Sequence, residues 1–396
     1  MTPNRPPSIA KRVPLIVPCV AFAVGLVLSL AVAFPSRRDA RAADRVLVQA
    51  DASDSLMFHR ADPARVMGVS KADCKMCHPS EVAAWMKTVH YLSPDQRLRK
   101  VEGNTKRYAD ALGIARDNLL NDSVCSGCHG TQAEEAGEIR ILSGVSCESC
   151  HGASGVADGW LEPHRSYHAS MEIPRSQETA EHRVQRIERC EKAGMIRSPD
   201  TYELAKSCYG CHIVGNEKLV ADGHKLASAF EFVSWSTGEV RHNFFVDETK
   251  NAEAPTLWAE RTDGTVTSRR RVKFIVGSMV QLEMALRHRA VATNPAVIPQ
   301  LGGLAAAANG KLAQINGLAA IPETQAVAAL VGPLLGTLFV PTPNDNDTYT
   351  AAADKVAEQA RKFAASNDGS DLAELDALIQ ATPPHYSQQF KDKYLN

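Results

Sequence analysis

The longest unbroken apolar stretch of the 396-residue chain, VPLIVPCVAFAVGLVLSLAVAF at 13–34, carries no charge. Wound as a helix rising about 1.5 Å per residue, it reaches roughly 33 Å, enough to cross a bilayer core. Arg5, Lys11 and Arg12 precede it, which sets the N-terminus on the cytoplasmic side and the bulk of the chain outside. A signal peptide cleaved near Ala40-Arg41-Ala42 competes with a retained anchor. The anchor is preferred, because the run exceeds a usual signal core and Arg37 and Arg38 stand before the cleavage site. Residues 1–45 are therefore an anchor or signal segment, and 46–58 a linker.

Further along, apolar positions fall into helical periods. Val82, Trp85, Met86 and Val89 recur at i, i+3, i+4 and i+7, with His90 continuing the same face, so one helix is expected over 79–90. A second helix is expected over about 177–194, and a third starting at Ser198 or Pro199. After about residue 266 helical patterns dominate. VKFIVGSMVQLEMALRHRA predicts an amphipathic helix, alanine-rich helices follow near 298–316 and 323–339, and AAADKVAEQARKFAAS and SDLAELDALIQA come last. Gly332, Pro333 and Gly336 break the apolar run 325–340, which favours a buried element over a second membrane span. The expected class is mainly α, with a loop-rich region over 59–250 and a helical C-terminal region over 251–396.

Cysteine placement changes the picture. Ten cysteines are present, and eight form four Cys-x-x-Cys pairs: Cys74/Cys77, Cys125/Cys128, Cys147/Cys150 and Cys208/Cys211. The two middle pairs alone have a zinc-ribbon spacing, and an exported chain invites disulfides. Yet each pair is followed at once by a histidine: His78, His129, His151 and His212. Composition alone predicts about 0.008 such pentapeptides in a chain of this kind. Neither a zinc ribbon nor a disulfide needs the histidine. Covalent haem does: the two thiols add across its vinyl groups, and the adjacent imidazole becomes the proximal iron ligand. Four c-type haems are expected. Their spacings of 51, 22 and 61 residues between successive histidines exclude a tandem repeat.

Nine further histidines could supply sixth ligands. About 18 Å of helix would separate His78 from His90, so His90 must serve a different haem from His78. His164 and His224 follow the third and fourth motifs. His59, His168, His182, His242, His288 and His385 are expected to be exposed or structural, with His168 and His242 the best further candidates. The charge run Arg269, Arg270, Arg271 and Lys273 reads as a solvated face, with a docking patch or haem-propionate pairing as the alternative. Cys190 is expected to be a buried small residue. Net charge is −1, with +5 in the first 42 residues and −6 in the remainder, which gives no sign of a nucleic-acid partner. No phosphate loop, Ser/His/Asp arrangement or paired-carboxylate motif stands out, and no catalytic residue is assigned.

The phrases CKMCHPSEVAAWMKTVH, GVSCESCHGASGVADGWLEPH, GMIRSPDTYELAKSCYGCH and ADGHKLASAFEFVSW resemble the tetrahaem cytochromes c of the cytochrome c-554 type. The resemblance covers about residues 70–245, and RRRVKFIVGSMVQLEMALRHRA also looks family-like. It implies closely packed haems in a mainly helical, loop-rich fold. Trp85, Thr88 and His90 match a Trp-x-x-Ser-x-His element that ligates the fourth haem, with threonine in place of serine. By the same resemblance His164 serves the first haem and His224 the third, while the haem on His129 is five-coordinate. The implied function is electron transfer between redox partner proteins, on the periplasmic side of a membrane that the N-terminal helix anchors. An enzyme acting on nitric oxide or hydroxylamine at an open iron is the alternative, and a C-terminal region that docks the chain into a larger complex is a third.

Overall fold

The computed structural model describes residues 61–379, except Lys87, Asp122, 156–157, 167–176, Ala229 and 239–264. The apolar run 13–34, Cys19, the 46–58 linker, His59, His168, His242 and His385 lie outside the described residues. Among those described, no helix is long and apolar enough to cross a membrane.

The cysteine motifs sit on four short helices: α1 (Cys74–Cys77), α2 (Ser123–His129), α3 (Cys147–His151) and α4 (Thr201–His212). Further short helices run over Pro79–Trp85, Val89–Ser93, Gly103–Leu112, Leu161–Arg165, Ala180–Lys192 and Phe232–Gly238. Asp200 caps α4, its carboxylate accepting from the Glu203 amide at 3.3 Å. The helix expected over 79–90 is broken. Pro79–Trp85 ends, and Val89–Ser93 starts afresh with Thr88 in extended conformation (ψ 160°) as its cap. The Thr88 hydroxyl accepts from the Tyr91 amide at 3.2 Å and donates to the Trp85 carbonyl at 2.7 Å, so one side chain closes one helix and opens the next.

Between α2 and α3 lies an antiparallel hairpin that the sequence pattern did not announce, β1 (Thr131–Glu135) and β2 (Glu138–Ser143). Its register pairs Glu135 with Glu138 and Gln132 with Ile141. The two-residue turn puts both Ala136 (φ 53°) and Gly137 (φ 82°) in the left-handed region, as such tight hairpins require.

The C-terminal part is a helical bundle: α5 (Val266–Val291), α6 (Ile298–Leu318), α7 (Pro322–Val331) and α8 (Asp345–Ser366). The expected helix over 323–339 ends early and passes into a 3-10 turn at Gly332–Leu334. SDLAELDALIQA keeps only a 3-10 turn, Ala373–Ala377. The larger correction concerns α5. Expected to be amphipathic, it is buried on every side from Arg271 to Leu286. It packs against α4, α6 and α8, so no face is left for water.

Burial on all sides makes most polar residues of α5 depend on partners within the protein. Arg289, fully buried, donates to the carbonyls of Leu338 (2.8 Å) and Val340 (2.6 Å), meets Asp345 at 2.8 Å and lies over the Tyr349 ring. Glu283, also fully buried, accepts from the Tyr202 hydroxyl at 2.8 Å and from Arg287 Nε at 2.9 Å, with Lys206 Nζ 3.8 Å away. Because Tyr202 and Lys206 belong to α4, this carboxylate ties the bundle to the fourth cysteine motif. The Arg269–Lys273 run is not the solvated face expected. Arg269, Arg271 and Lys273 are buried, and Arg271 holds Asp376 and the Gly369 carbonyl. Cys190 is buried as expected.

Replacing Glu283 with Leu strips Tyr202, Lys206 and Arg287 of a shared carboxylate. The expected loss of stability is about 3–5 kcal/mol, read by denaturant unfolding. His288, buried against Gly215, is held neutral: burial, with Arg287 nearby, pushes its pKa down to about 4. Below pH 6.5 the unfolded chain takes up a proton that the folded chain refuses, so stability falls as pH drops towards 4. A His288→Leu variant is expected to remove roughly 3 kcal/mol of that loss at pH 4. Thermal melts of both proteins between pH 4 and 7 measure the difference.

Candidate haem-binding site

The four motif helices converge on one cavity of about 1290 Å³, larger than the ~300–1,000 Å³ that ordinarily holds one small ligand. Its wall includes all eight motif cysteines, the four motif histidines His78, His129, His151 and His212, and also His90, His164 and His224. Every sequence-predicted site residue is thus brought to one space.

Each motif imidazole has a polar group at or near Nδ1. His129 Nδ1 is 2.8 Å from Ser93 Oγ, His151 Nδ1 is 2.8 Å from the Ile196 carbonyl, and His212 Nδ1 is 3.1 Å from Ser228 Oγ. The Glu81 carboxylate stands 3.7 Å from His78 Nδ1. With Nδ1–H donating outward, Nε2 keeps its lone pair for a metal, the usual arrangement behind a ligating histidine. His224 is held in the same way, Nδ1 lying 2.9 Å from the Lys225 carbonyl. Burial lowers the pKa of His129 to about 4, of His212 to about 3 and of His90 to about 4, and burial lowers that of His151 as well. These rings are neutral at pH 7, as a ligand must be.

Two pairs of rings come close together, the first near-parallel and the second edge to face at 67°. His78 and His164 lie 5.8 Å apart between centroids, inclined by 18°. His90 and His212 are 6.2 Å apart. An imidazole–metal bond of about 2 Å on each side plus the two ring radii gives a separation of about 6 Å. His224, which the resemblance pairs with the third haem, lies near His129 of the second motif. It also packs edge-on against Tyr108 at 5.2 Å. His182, bonded to Glu178 at 2.9 Å, is structural.

The motifs adjoin in an order different from their order in sequence. The Cys74 and Cys147 thiols lie near each other, and His78 adds to the lowering at His151, joining the first motif to the third. Cys150 acts on Cys208, joining the third to the fourth. His90 and His129 both act on His212, joining the fourth to the second. Among the described residues the cysteines form no disulfide. No group of three or more His, Cys, Asp or Glu side chains among them could hold a bare metal ion, so the zinc-ribbon spacing is not gathered into a tetrahedral set.

Sequence reasoning missed the residues that lock the motifs together. Glu148, buried inside the third motif, accepts from the amides of Met67 (3.0 Å), Gly68 (2.7 Å) and Ser154 (2.8 Å). Thr131 Oγ1 contacts Ser146 Oγ at 2.9 Å and Ser149 Oγ at 2.8 Å, fastening β1 to α3. Trp85 Nε1 donates to the Val145 carbonyl at 2.7 Å, and the Val145 amide donates to the His90 carbonyl at 3.0 Å. The Trp85, Thr88 and His90 element therefore has a mechanical meaning: the indole pins the turn, the threonine restarts the helix and the histidine is aimed. Single polar residues in loops carry no periodicity, so no pattern could have singled them out.

Residues 73–152 match the family model for cytochrome c554 and c-prime. That stretch is similar to the cytochrome c-554 family. Cytochrome c-554 of Nitrosomonas europaea is 33% identical over 85 residues, which cover 20% of this chain and 35% of that relative. The alignment thus spans about a third of the relative's length. No solved structure matches. The matched stretch holds the first three motifs and His90, and its likeness to a cytochrome c family implies covalently bound c-type haem. The residues fit that group, with paired thiols, outward-anchored neutral imidazoles and paired rings around one apolar space.

Gly144, between the hairpin and α3, lies against the carbonyl oxygens of His90 and Tyr91, which a methyl group would overlap. Gly144→Ala is expected to cost about 1–3 kcal/mol through overpacking. Denaturant unfolding of both proteins measures the difference.

Proposed function

We propose that the chain is an exported tetrahaem c-type cytochrome that carries electrons between redox partner proteins. In this proposal it is held on the periplasmic side of the membrane by the helix over 13–34. The observation that carries the reading is the convergence of four Cys-x-x-Cys-His motifs and three further histidines on one cavity wall. Bound c-type haem supplies one-electron chemistry at its iron, tuned by axial ligands and burial.

The chain's own residues do the rest. Eight cysteines provide the attachment points. The anchors Glu81, Ser93, Ile196 and Ser228 fix the tilt of the proximal imidazoles and their electron donation. Phe230 stacks on His212 at 4.3 Å and Trp235 meets it edge-on at 5.7 Å, keeping water from that ligand. Trp160 does the same for His164 at 5.7 Å. Adjacency in the order first, third, fourth, second gives four sites in series rather than four isolated ones. His164 is assigned to the first site and His90 to the fourth. His224, whose ring lies near His129, is assigned to the second site in this proposal, and an enzyme acting on nitric oxide or hydroxylamine at an open iron there is the alternative.

Mass spectrometry of protein matured in a host able to attach c-type haem is expected to show four porphyrin adducts, and three after Cys208 and Cys211 are both changed to Ser. Fewer than four on the unaltered chain would overturn the tetrahaem reading. Electron paramagnetic resonance of His224→Ala is expected to show one ferric haem converted from low to high spin. A wild-type protein already high-spin at the His129 site would favour the open-iron alternative.

A further inference from the structure

His224 differs from the motif histidines in how it is presented to the cavity. It follows a short helix, Glu217–Ala221, that ends on Gly223 in the left-handed region (φ 92°). The Gly223 amide donates to the Val220 carbonyl at 3.0 Å and the His224 amide to the Leu219 carbonyl at 2.9 Å, a closing turn for which glycine is suited. His129, His151 and His212 find their Nδ1 partner in another segment of the chain, whereas that of His224 is the carbonyl of Lys225 beside it. Such a bond sets the ring within its own loop. The place of that loop on the cavity wall has to be fixed from elsewhere.

The helix Gly103–Leu112 supplies that restraint. The Tyr108 hydroxyl donates to the Gly223 carbonyl at 2.9 Å, across 115 positions of chain. The Tyr108 ring meets that of His224 edge-on at 5.2 Å. Beside it, Arg107 Nε lies 3.2 Å from the Asp222 carboxylate, and the guanidinium stands 5.0 Å over the Tyr108 ring. Arg107 and Tyr108 thus grip Asp222, Gly223 and His224 in succession. Arg107 is exposed, and an exposed ion pair contributes little. Tyr108 is the stronger member, since it lines the cavity together with His224. The helix is itself tied to the wall: the Thr105 hydroxyl donates to the Arg97 carbonyl at 2.8 Å, four residues beyond Ser93, the anchor of His129.

We propose that Tyr108 is a positioning residue for His224, holding its loop so that the imidazole stays on a haem iron. This rests on the reading of His224 as a sixth ligand. A ring tethered from a neighbouring helix gains less conformational freedom on leaving the iron than one carried by a free loop, so it leaves less often. Loss of the Tyr108 hydroxyl or ring therefore raises the share of open iron. The apparent affinity for any added ligand that competes for the same position rises in proportion.

The test uses the haem-loaded full chain, with cyanide as the competing ligand of ferric haem, and compares variants at equal haem content read by mass spectrometry. His224→Ala comes first. If it converts no ferric haem from low to high spin, the reading of His224 as a ligand fails and this proposal fails with it. Once that conversion is seen, Tyr108→Ala is expected to bind cyanide at the same haem about tenfold more tightly than the unaltered protein, with the other haems unchanged. Tyr108→Phe keeps the ring and loses the hydrogen bond, and is expected to show a gain of about fivefold. Cyanide affinities in both variants equal to that of the unaltered protein leave His224 as a ligand but overturn the role of Tyr108. Should Tyr108→Ala not accumulate, Tyr108→Phe decides alone, because it removes a single hydroxyl and no apolar surface.

Discussion

The whole arrangement depends on imidazole rings being held from behind. A histidine in a wide apolar space would swing among rotamers, and its two nitrogens would compete for any metal. Here a hydroxyl, a backbone carbonyl or a carboxylate stands at or near Nδ1 of each motif histidine, which leaves Nε2 directed into the cavity. Those anchors come from outside the motifs: Ser93 from a neighbouring helix, Ile196 and Ser228 from loops on either side of α4. The chain between the motifs is thus a set of brackets, and its irregular spacing follows from where each bracket must stand.

The same logic explains why the C-terminal bundle is more than an appended domain. Cavity-lining segments made of short helices and loops bury little apolar surface of their own, whereas α5 is surrounded by α4, α6 and α8. Burying a helix with so many polar residues is costly unless its charges are matched. Arg289, Arg271 and Glu283 are matched within the protein. The rigidity that results passes to α4 through Tyr202 and Thr201, and so to the fourth motif.

Legibility in the sequence divides by the kind of signal. The four motifs were plain, because covalent attachment imposes a fixed local spacing that no fold can alter. The helices over 180–192, 201–212, 298–318 and 345–366 were visible as periodic patterns. The break at Thr88 was hidden, because Val82, Trp85, Met86 and Val89 keep helical spacing across a turn that a side-chain cap interrupts. The charges of 269–273 misled for a related reason: a run of cations resembles a solvated face until the partners, distant in sequence, are known. The hairpin escaped notice because Ala136-Gly137 is a weak turn signal and β2 is barely buried.

His90 and His212 meet across 122 positions of chain. A polypeptide made from its N-terminus presents the earlier ring long before the later one exists. Closure of that contact is therefore a late event, with a heavy loop entropy to overcome. A nascent chain halted before α4 would hold an aimed imidazole with nothing opposite it, so the completeness of the fourth position reports that synthesis has run past residue 212.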